Sequence, residues 1–349
     1  MKIITVTDAW APQVNGVVRT IEATNRELER SGHRTVVLAP DRFLTVPCPG
    51  YDGIRLAVAP QLRLGRILAT EIADREEVAV HVATEGPLGR AARAWCRRRG
   101  VPFSTAYHTR FPQYLRAMYG VPEAWTYAVM RRFHGDAAVV MAPTPTVADE
   151  LRAHGIGDPA LWTRGVDTDL FTPSTPLPLQ LPRPIFLYVG RVSVEKNIGD
   201  FLIADLPGSK VVAGAGPALA TLTRRFPEVH FIGVLSQPQL ARLYSTADVF
   251  VFPSRTDTFG LVLLEALACG TPVAAYPVQG PLDVIGGTDV GVLHEDLRVA
   301  AAAALRIDRR RCREFALARS WAAATRQFVS LQRPVRLSPH RPLEVSPRV

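Results

Sequence analysis

Two cations lie in a loop that follows a strongly apolar, strand-like segment. The loop is 190–197, and within it Arg191 and Lys196 stand between that segment and a predicted helix. Arg191 can bind phosphate oxygens with paired donors, and Lys196 adds a point charge from the next turn. Such a pair suits a diphosphate leaving group, because it stabilises the charge that develops as a bond to phosphate breaks. The alternative is a pair of solvated surface cations.

A second loop, 253–260, precedes a helix and brings two carboxylates into one segment. Asp257 lies in the loop and Glu265 lies about two turns inside the helix, so both can face the same cleft. Carboxylates suit the hydroxyls of a sugar and a ribose. The backbone amides around Phe259, Gly260 and Leu261 suit phosphate or sugar oxygens at the start of a helix.

Two loops in the first half of the chain carry weaker signals. Asn15 and Gly16 begin a predicted helix, where backbone amides could approach an anion, although a plain turn explains them as well. His108 directly follows a predicted strand, with Arg110 two positions later. Ligands of doubly wound sheets bind beyond the carboxyl ends of the strands, so we favour a functional His108 over a structural one.

Strands and helices alternate along most of the chain, which predicts parallel sheets covered on both faces. In the first half, apolar runs predict strands at 3–7, 34–39, 78–83, 103–107 and 137–143. In the second half, they predict strands at 185–189, 210–213, 229–232, 248–252 and 273–275. Ser236 and Gln239 form a predicted capping box before the strand at 248. The fold class is therefore α/β, with two Rossmann-like doubly wound domains.

A proline-rich stretch at 173–184 separates the two series, since neither helix nor central strand persists there. The chain has 349 residues, 47% of them hydrophobic, which is enough for two domain cores. We predict an N-terminal domain, a C-terminal domain, a helix that crosses back to the first domain, and a disordered tail. Their predicted ranges are 1–165, 166–320, 321–332 and 333–349.

The formal charge of +9 favours anionic partners. Nucleic acid is not expected, because no nucleic-acid-binding motif accompanies the charge. Arginines at 97–99 and 131–132, beside Trp95, Trp125 and Tyr127, would suit peripheral contact with an anionic membrane, although a solvated helix end explains them equally well. With no signal peptide or membrane-spanning run, and four scattered cysteines predicted to be free thiols, we expect a cytoplasmic protein, with association at the inner face of the membrane left open.

Taken together, these motifs resemble the retaining GT-B glycosyltransferases of family four, over about residues 1–332. The resemblance rests on Thr256-Asp257-Thr258-Phe259-Gly260 with Glu265, on Arg191 with Lys196, and on the turn Gly214-Ala215-Gly216-Pro217. It implies two domains that face a central cleft. It also implies that Arg191 and Lys196 hold the donor diphosphate, with Gly16 behind the phosphate, and that Glu265 binds the ribose.

The same resemblance implies that Asp257 and His108 contact the transferred sugar, and that Gly216 belongs to the donor site. The acid at 257 is one methylene shorter than the family's usual glutamate, which leaves the donor sugar open. Retention of the anomeric configuration follows if the acceptor hydroxyl attacks from the leaving group's side and the departing phosphate takes its proton.

For the substrates, we expect a hexose from a nucleotide-diphosphate sugar and a membrane lipid acceptor such as diacylglycerol. The alternative is a GDP-mannose-dependent α-mannosyltransferase acting on phosphatidylinositol or a polysaccharide intermediate. A protein of a different class, a non-catalytic binder of nucleotide sugars, would keep the same donor site, and only an assay separates it.

No cofactor and no metal are expected. Asp167-Thr168-Asp169 resembles a metal motif but lies at the domain junction, and Arg191 and Lys196 already supply cationic charge. An oxidoreductase is disfavoured, because Leu219 replaces the third glycine of a dinucleotide fingerprint that would begin at Gly214.

Overall fold

The computed structural model describes residues 1–13, 15–48, 51–73, 77–257 and 259–335, with backbone only at 51–53, 117 and 118. Val14 and Thr258, which belong to two of the predicted loops, lie outside the described residues, as do 336–349 of the predicted tail. The chain divides into two compact units. Unit 1 comprises Met1–His108, Pro122–Thr163 and Thr325–Val349, and unit 2 comprises Thr109–Val121 and Arg164–Ala324.

Unit 1 is built on a six-stranded parallel sheet in the order β2-β1-β5-β6-β7-β8. Its strands are β1 (Lys2–Val6), β2 (Arg34–Leu38), β5 (Val78–Val82), β6 (Phe103–Ala106), β7 (Val139–Ala142) and β8 (Ala160–Leu161). A separate antiparallel hairpin pairs β3 (Thr45–Cys48) with β4 (Tyr51–Ala57). The strand order reverses between β1 and β5, so the loops after these two strands flank the switch point of the sheet.

Unit 2 contains a second six-stranded parallel sheet in the order β11-β10-β9-β12-β13-β14. Its strands are β9 (Ile185–Val189), β10 (Ser209–Ala213), β11 (His230–Gly233), β12 (Val249–Phe252), β13 (Val273–Ala275) and β14 (Gly291–Leu293). This is the order of a dinucleotide-binding sheet, and its switch point lies between β9 and β12.

Both faces of the second sheet are covered. Side chains alternate along a strand, so Leu187 packs into one hydrophobic cluster while Phe186 and Tyr188 pack into another on the opposite face. Burial on both faces explains why β9 reads as an uninterrupted apolar run rather than an alternating one. The predicted class, two doubly wound parallel-sheet α/β domains, is confirmed.

The helices of unit 1 are α1 (Gly16–Arg30), α2 (Gln61–Ala73), α3 (Pro87–Arg99), α5 (Glu123–His134) and α6 (Pro145–Ala153). Those of unit 2 are α4 (Phe111–Tyr119), α7 (Ile198–Ile203), α8 (Leu219–Arg225), α9 (Gln237–Thr246), α10 (Leu261–Ala268), α11 (Gln279–Ile285), α12 (Leu297–Ala304) and α13 (Arg309–Leu317). The last helix, α14 (Trp321–Ser330), begins in unit 2 and ends in unit 1. No helix in the described ranges is long and apolar enough to span a membrane.

Local signals at helix ends behave as the sequence predicts. The capping box of Ser236 and Gln239 is formed at the start of α9. Gly32 follows the end of α1 with φ of 78°, a left-handed conformation that glycine adopts without steric cost. At the other end of the chain, Val335 forms an isolated antiparallel bridge with Val78 of β5.

Candidate functional site

The chemically loaded loops of unit 2 follow adjacent strands at the switch point of its sheet. The loop with Arg191 and Lys196 follows β9, and the loop with Asp257 follows β12. In open α/β sheets the crevice between two such loops is where ligands bind. The chain order of the strands therefore brings these three side chains to one place.

Lys196 and Asp257 form an ion pair. The ammonium Nζ lies 2.5 Å from Asp257 Oδ1, and the side chains are 28% and 21% exposed. Burial would raise the pKa of Asp257, but the charge and hydrogen bond of Lys196 outweigh it, with a smaller contribution from the Ser254 hydroxyl, so the pKa lies below its ordinary value. Asp257 is therefore an anion at neutral pH and fixes the position of the ammonium.

Arg191 is the more open of the two cations. Its side chain is 43% exposed, and its Nε lies 3.9 Å from Glu195 Oε1. Its backbone carbonyl accepts a hydrogen bond of 2.7 Å from the hydroxyl of Tyr188, a buried residue of β9. The guanidinium is therefore partly exposed to solvent, while the backbone of Arg191 is held by Tyr188.

Glu265 lies inside α10 and is buried, with only 6% of its surface exposed. Tyr244 of α9 donates a hydrogen bond of 3.1 Å to its Oε2. A buried carboxylate needs such donors, because an ion without them would carry a large desolvation cost. Tyr244 thus orients one carboxylate oxygen of the residue that the sequence assigns to the ribose.

Phe259, Gly260 and Leu261 form the entry to α10. Phe259 is buried in the core, Gly260 is the N-cap with φ of 82°, and Leu261 is the first helical residue. Left-handed backbone at Gly260 turns the loop sharply into the helix. The amide of Leu263 in the first turn donates to the Gly260 carbonyl at 2.9 Å, so an anion at this helix start would meet the amides of Leu261 and Val262.

Gly216 owes its identity to backbone packing. A Cβ at this position would lie 2.2 Å from the carbonyl oxygen of Val192, and one at Gly214 would lie 1.9 Å from the carbonyl oxygen of Gly190. The backbone of Val192 also donates to the carbonyl of Ala215 at 2.9 Å. The glycines after β10 let that loop lie directly against the Arg191 loop.

In unit 1, Asn15 and Gly16 begin α1 in the loop that follows β1. The side-chain oxygen of Asn15 accepts hydrogen bonds of 3.0 Å from the amides of both Val17 and Val18. These two first-turn amides are therefore capped by the protein, as is typical of an asparagine N-cap. An anion at this helix end would meet the Gly16 amide or displace the Asn15 side chain.

His108 follows β6 and is half-buried. Its ring meets the edge of Trp162, a fully buried side chain, with 5.8 Å between ring centroids. The indole fixes the imidazole on one side. His108, Asn15 and Gly16 all belong to unit 1, whereas Arg191, Lys196, Gly216, Asp257 and Glu265 belong to unit 2.

The acidic motif at 167–169 has a local structural role. Asp167 Oδ1 accepts hydrogen bonds from the amides of Asp169, at 3.2 Å, and Leu170, at 3.1 Å, which closes a turn. Within the described part of the chain, no group of three or more His, Cys, Asp or Glu residues is placed to hold a metal ion.

Several side chains at this site are not identified by the sequence motifs. Tyr188 and Tyr244 contact Arg191 and Glu265 as described above, and Asn197, Asp200 and Tyr276 tie the loops together by hydrogen bonds. Asn197 ends the motif at 190–197 and could have been singled out for its place there. Tyr244 and Tyr276 carry no such signal, because they come from elements distant in the sequence, and Tyr188 is indistinguishable from the other apolar residues of β9.

Two parallel sheets, with cations and carboxylates at the switch point of the second, define a transferase of the GT-B class that handles nucleotide sugars. The chain belongs to the family-four glycosyltransferases: residues 14–170 match the family described as Glycosyltransferase Family 4, and residues 183–308 match Glycosyl transferases group 1. The fold class, GT-B, and the predicted family are thereby confirmed.

Three relatives are similar to this chain in sequence, and one solved structure is similar to it in fold. The GDP-mannose-dependent alpha-mannosyltransferase of Mycobacterium tuberculosis is 30% identical over 84% of this chain and 83% of its own. The sulfoquinovosyl transferase of Arabidopsis thaliana is 31% identical, over 78% of this chain and 58% of its own. The alpha-monoglucosyldiacylglycerol synthase of Streptococcus pneumoniae is 28% identical, over 79% and 71%. The structure of sucrose-phosphate synthase from Thermosynechococcus elongatus superposes with a TM-score of 0.75 at 23% identity, over 95% of this chain and 98% of that one.

Proposed function

We propose that this chain transfers a hexose from a nucleotide-diphosphate sugar to an acceptor hydroxyl, with retention and with no resident metal or cofactor. The observation that carries the proposal is the Lys196–Asp257 ion pair, which joins the loops after β9 and β12 at the switch point, with the partly exposed guanidinium of Arg191 in the first of these loops. Arg191 and Lys196 would neutralise the diphosphate, Glu265 would bind the ribose, and Asp257 would bind the sugar. In unit 1, Gly16 and His108 are proposed as donor-binding residues.

In the reaction, the acceptor oxygen forms a bond to the anomeric carbon on the face from which the diphosphate departs. The bond between that carbon and the phosphate oxygen breaks, and its electron pair goes to the diphosphate. The acceptor's proton passes to the departing phosphate oxygen. The proposed donor-binding residues position the reactants, and Arg191 and Lys196 stabilise the negative charge that accumulates on the leaving group.

For the acceptor we propose a membrane lipid such as diacylglycerol, reached from the cytoplasmic face of the membrane. The helix α5 supports this, because its exposed side chains include Trp125 at 71% and Val129 at 46%, next to Arg131 and Arg132. Apolar and cationic side chains on one exposed face suit an anionic headgroup layer. Trp95 and Tyr127 cannot take part, since both are buried.

The alternative acceptor and donor rest on a different observation. The relative from Mycobacterium tuberculosis, whose name specifies GDP-mannose, shares its identity across most of this chain. A GDP-mannose-dependent α-mannosyltransferase acting on phosphatidylinositol or a polysaccharide intermediate would use the same donor residues.

The test is an assay of the purified chain with UDP-glucose, UDP-galactose, UDP-glucuronate and GDP-mannose, with and without liposomes containing diacylglycerol or phosphatidylinositol. Mass spectrometry would follow both the nucleoside diphosphate and the glycolipid, with and without a metal chelator. We expect a lipid-dependent product whose anomeric configuration matches the donor and whose yield the chelator leaves unchanged.

Arg191→Ala and Glu265→Gln should abolish product while the protein stays folded. Donor binding without any product would identify a non-catalytic binder. Product that forms only with added polysaccharide acceptors would rule out a lipid acceptor. For the membrane contact, Trp125→Ala with Val129→Ala should weaken flotation with anionic liposomes. Val299→Ala, at a position 47% exposed in unit 2, is the matched control.

A further inference from the structure

We propose that Tyr276, Asp200 and Asn197 form a positioning relay that fixes Lys196 for the donor diphosphate. The relay deepens the proposed function and rests on it. None of the three residues need contact the donor. Each acts through the backbone or the hydrogen bonds of the loops that carry Lys196 and Asp257.

The Asp200 carboxylate is the centre of the relay. Its Oδ2 accepts a hydrogen bond of 2.6 Å from the hydroxyl of Tyr276 and one of 2.7 Å from Nδ2 of Asn197. Asn197 Nδ2 also donates to the carbonyl of Pro253 at 3.2 Å. The segments after β9, β12 and β13 are thereby joined: Tyr276 bonds to Asp200 directly, and Pro253 is linked to Asp200 through Asn197.

Asn197 controls the backbone next to Lys196. It adopts φ of 50°, a left-handed conformation, between the single 3-10 turn Val194–Lys196 and the start of α7. Asparagine tolerates this conformation better than most residues with a side chain. Since Lys196 is the preceding residue, the amide anchors of Asn197 set the direction in which the lysine leaves the loop.

The carboxylates of Asp200 and Asp257 have different donors. Two neutral donors bond to Oδ2 of Asp200, whereas the Lys196 ammonium pairs with Asp257 at 2.5 Å. Burial and Asp200 raise the pKa of Tyr276 to about 12, so its hydroxyl remains a donor at neutral pH. The guanidinium of Arg255 lies 3.7 Å from the centroid of the Tyr276 ring and holds the ring in place.

Precise placement matters here because Lys196 is a long, partly exposed side chain. A charge that is already in position stabilises the developing diphosphate without reorganisation, whereas a mobile one must first be ordered. Loss of one relay hydrogen bond should therefore weaken diphosphate binding and slow transfer without unfolding unit 2.

The experiment is a pair of double-mutant cycles. Tyr276→Phe removes only the hydroxyl, and Asn197→Gly removes the amide while allowing the left-handed backbone. Each is made alone and together with Lys196→Ala, which leaves Arg191 and Glu265 in place. Titration calorimetry with UDP and GDP gives the Kd of each variant, and the turnover number is measured with the active donor.

We expect Tyr276→Phe, which removes one hydrogen bond, to weaken binding of the preferred diphosphate by about fivefold, and Asn197→Gly, which removes two, to weaken it by about tenfold. In the Lys196→Ala background the same substitutions should have almost no effect, because the relay acts through the lysine. Tyr127→Phe is the matched control, since it removes a hydrogen bond of 2.5 Å to Glu150 in unit 1 and should leave Kd unchanged.

A Tyr276→Phe effect that persists at full size without Lys196 would overturn the relay, as would a variant that binds like the unmodified chain. If the unmodified chain binds neither UDP nor GDP at millimolar concentration, the proposed function itself fails, and the relay fails with it. If the unmodified chain binds and transfers normally but the substitutions act additively in both double-mutant cycles, the proposed function stands and only the relay is excluded.

Discussion

Single glycines set how closely the donor loops of unit 2 can approach each other. Gly214 and Gly216 lie against the carbonyls of Gly190 and Val192, so the resemblance of this turn to a dinucleotide fingerprint reflects packing between two loops. Asp257 and Lys196 form an ion pair, and the lysine lowers the pKa of Asp257 and so keeps this carboxyl ionised.

Gly216→Ala should destabilise unit 2 by about 2 kcal/mol or more, because the new Cβ would overlap the Val192 carbonyl. Gly199→Ala is the control, since a Cβ there meets nothing within 4 Å and alanine favours the helix by roughly 0.5–1 kcal/mol. Urea denaturation of both variants measures the difference. Equal stability of the two would contradict the packing argument.

The lowered pKa of Asp257 predicts how the site responds to acid. A depressed carboxyl pKa contributes stability above the unfolded value of 3.8, and this is lost as pH falls through the still lower folded pKa. Asp257 should therefore stay ionised between pH 8 and 5, and its protonation should not affect diphosphate binding in that range. In Lys196→Ala, only the hydrogen bond from Ser254 opposes burial, so the pKa of Asp257 should rise. The acidic limb of the binding curve should then move to higher pH, which binding measured across that range would detect. An unchanged limb would argue against the ion pair.

At the level of elements, two arginines of α13 form hydrogen bonds with carbonyls at the ends of α9 and α10. Arg313 donates to the carbonyls of Ala268, at the end of α10, and of Phe171 and Thr168. Arg309 donates to the carbonyls of Ala247 and Ser245 around the end of α9. Carbonyls at helix ends lack partners within the helix, so these guanidinium groups act as caps.

Arg313→Met should lower the free energy of unfolding of unit 2 by about 2–4 kcal/mol, because it leaves three partly buried carbonyls without their charged donor. Arg310→Met, on the exposed side of the same helix, is the control and should change stability by less than about 0.5 kcal/mol. Thermal denaturation followed by circular dichroism compares them. A similar loss in both would mean that helix propensity, and not capping, is responsible.

The elements differ in how far the sequence predicts them. The strand β9 is readable because its burial on both faces produces a continuous apolar run. The helix α2 was predictable but not predicted, although Leu64, Leu68 and Ile72 recur at helical spacing. The hairpin β3–β4 contains proline and alternates weakly, and α13 begins as a run of arginines whose carbonyl partners are set only by tertiary packing. At the site, the motif residues were found by type, whereas Tyr276 reaches Asp200 only because β13 and β9 flank β12.

At the level of the whole molecule, the cysteines report on the two units separately. Cys96 is buried in unit 1, while Cys269 and Cys312 are buried in unit 2. Burial raises the pKa of each of these three thiols to about 12, which suppresses the reactive thiolate. Cys48 is partly exposed.

A thiol reagent should therefore label Cys48 in the native protein and the other three only when their unit opens. A nucleoside diphosphate that binds unit 2 should slow the labelling of Cys269 and Cys312 in mild denaturant. Labelling of Cys96 should be slowed less if the units open independently. Mass spectrometry of each cysteine peptide measures the rates, and uniform protection of all three would show that the units open as one.

The hydrogen bonds of Asp8 have a consequence for how unit 1 folds. The carboxylate of Asp8, which follows β1, accepts hydrogen bonds from the amides of Leu88 and Gly89 and so caps α3 from eighty residues away. This carboxylate occupies the space that a side chain at Gly86 would need. This cap on the first turn of α3 can form only when the end of β1 and the start of α3 come together, so it depends on a long-range encounter. Refolding kinetics of Asp8→Asn should show slower folding if that encounter belongs to the transition state, and only faster unfolding if the cap closes afterwards.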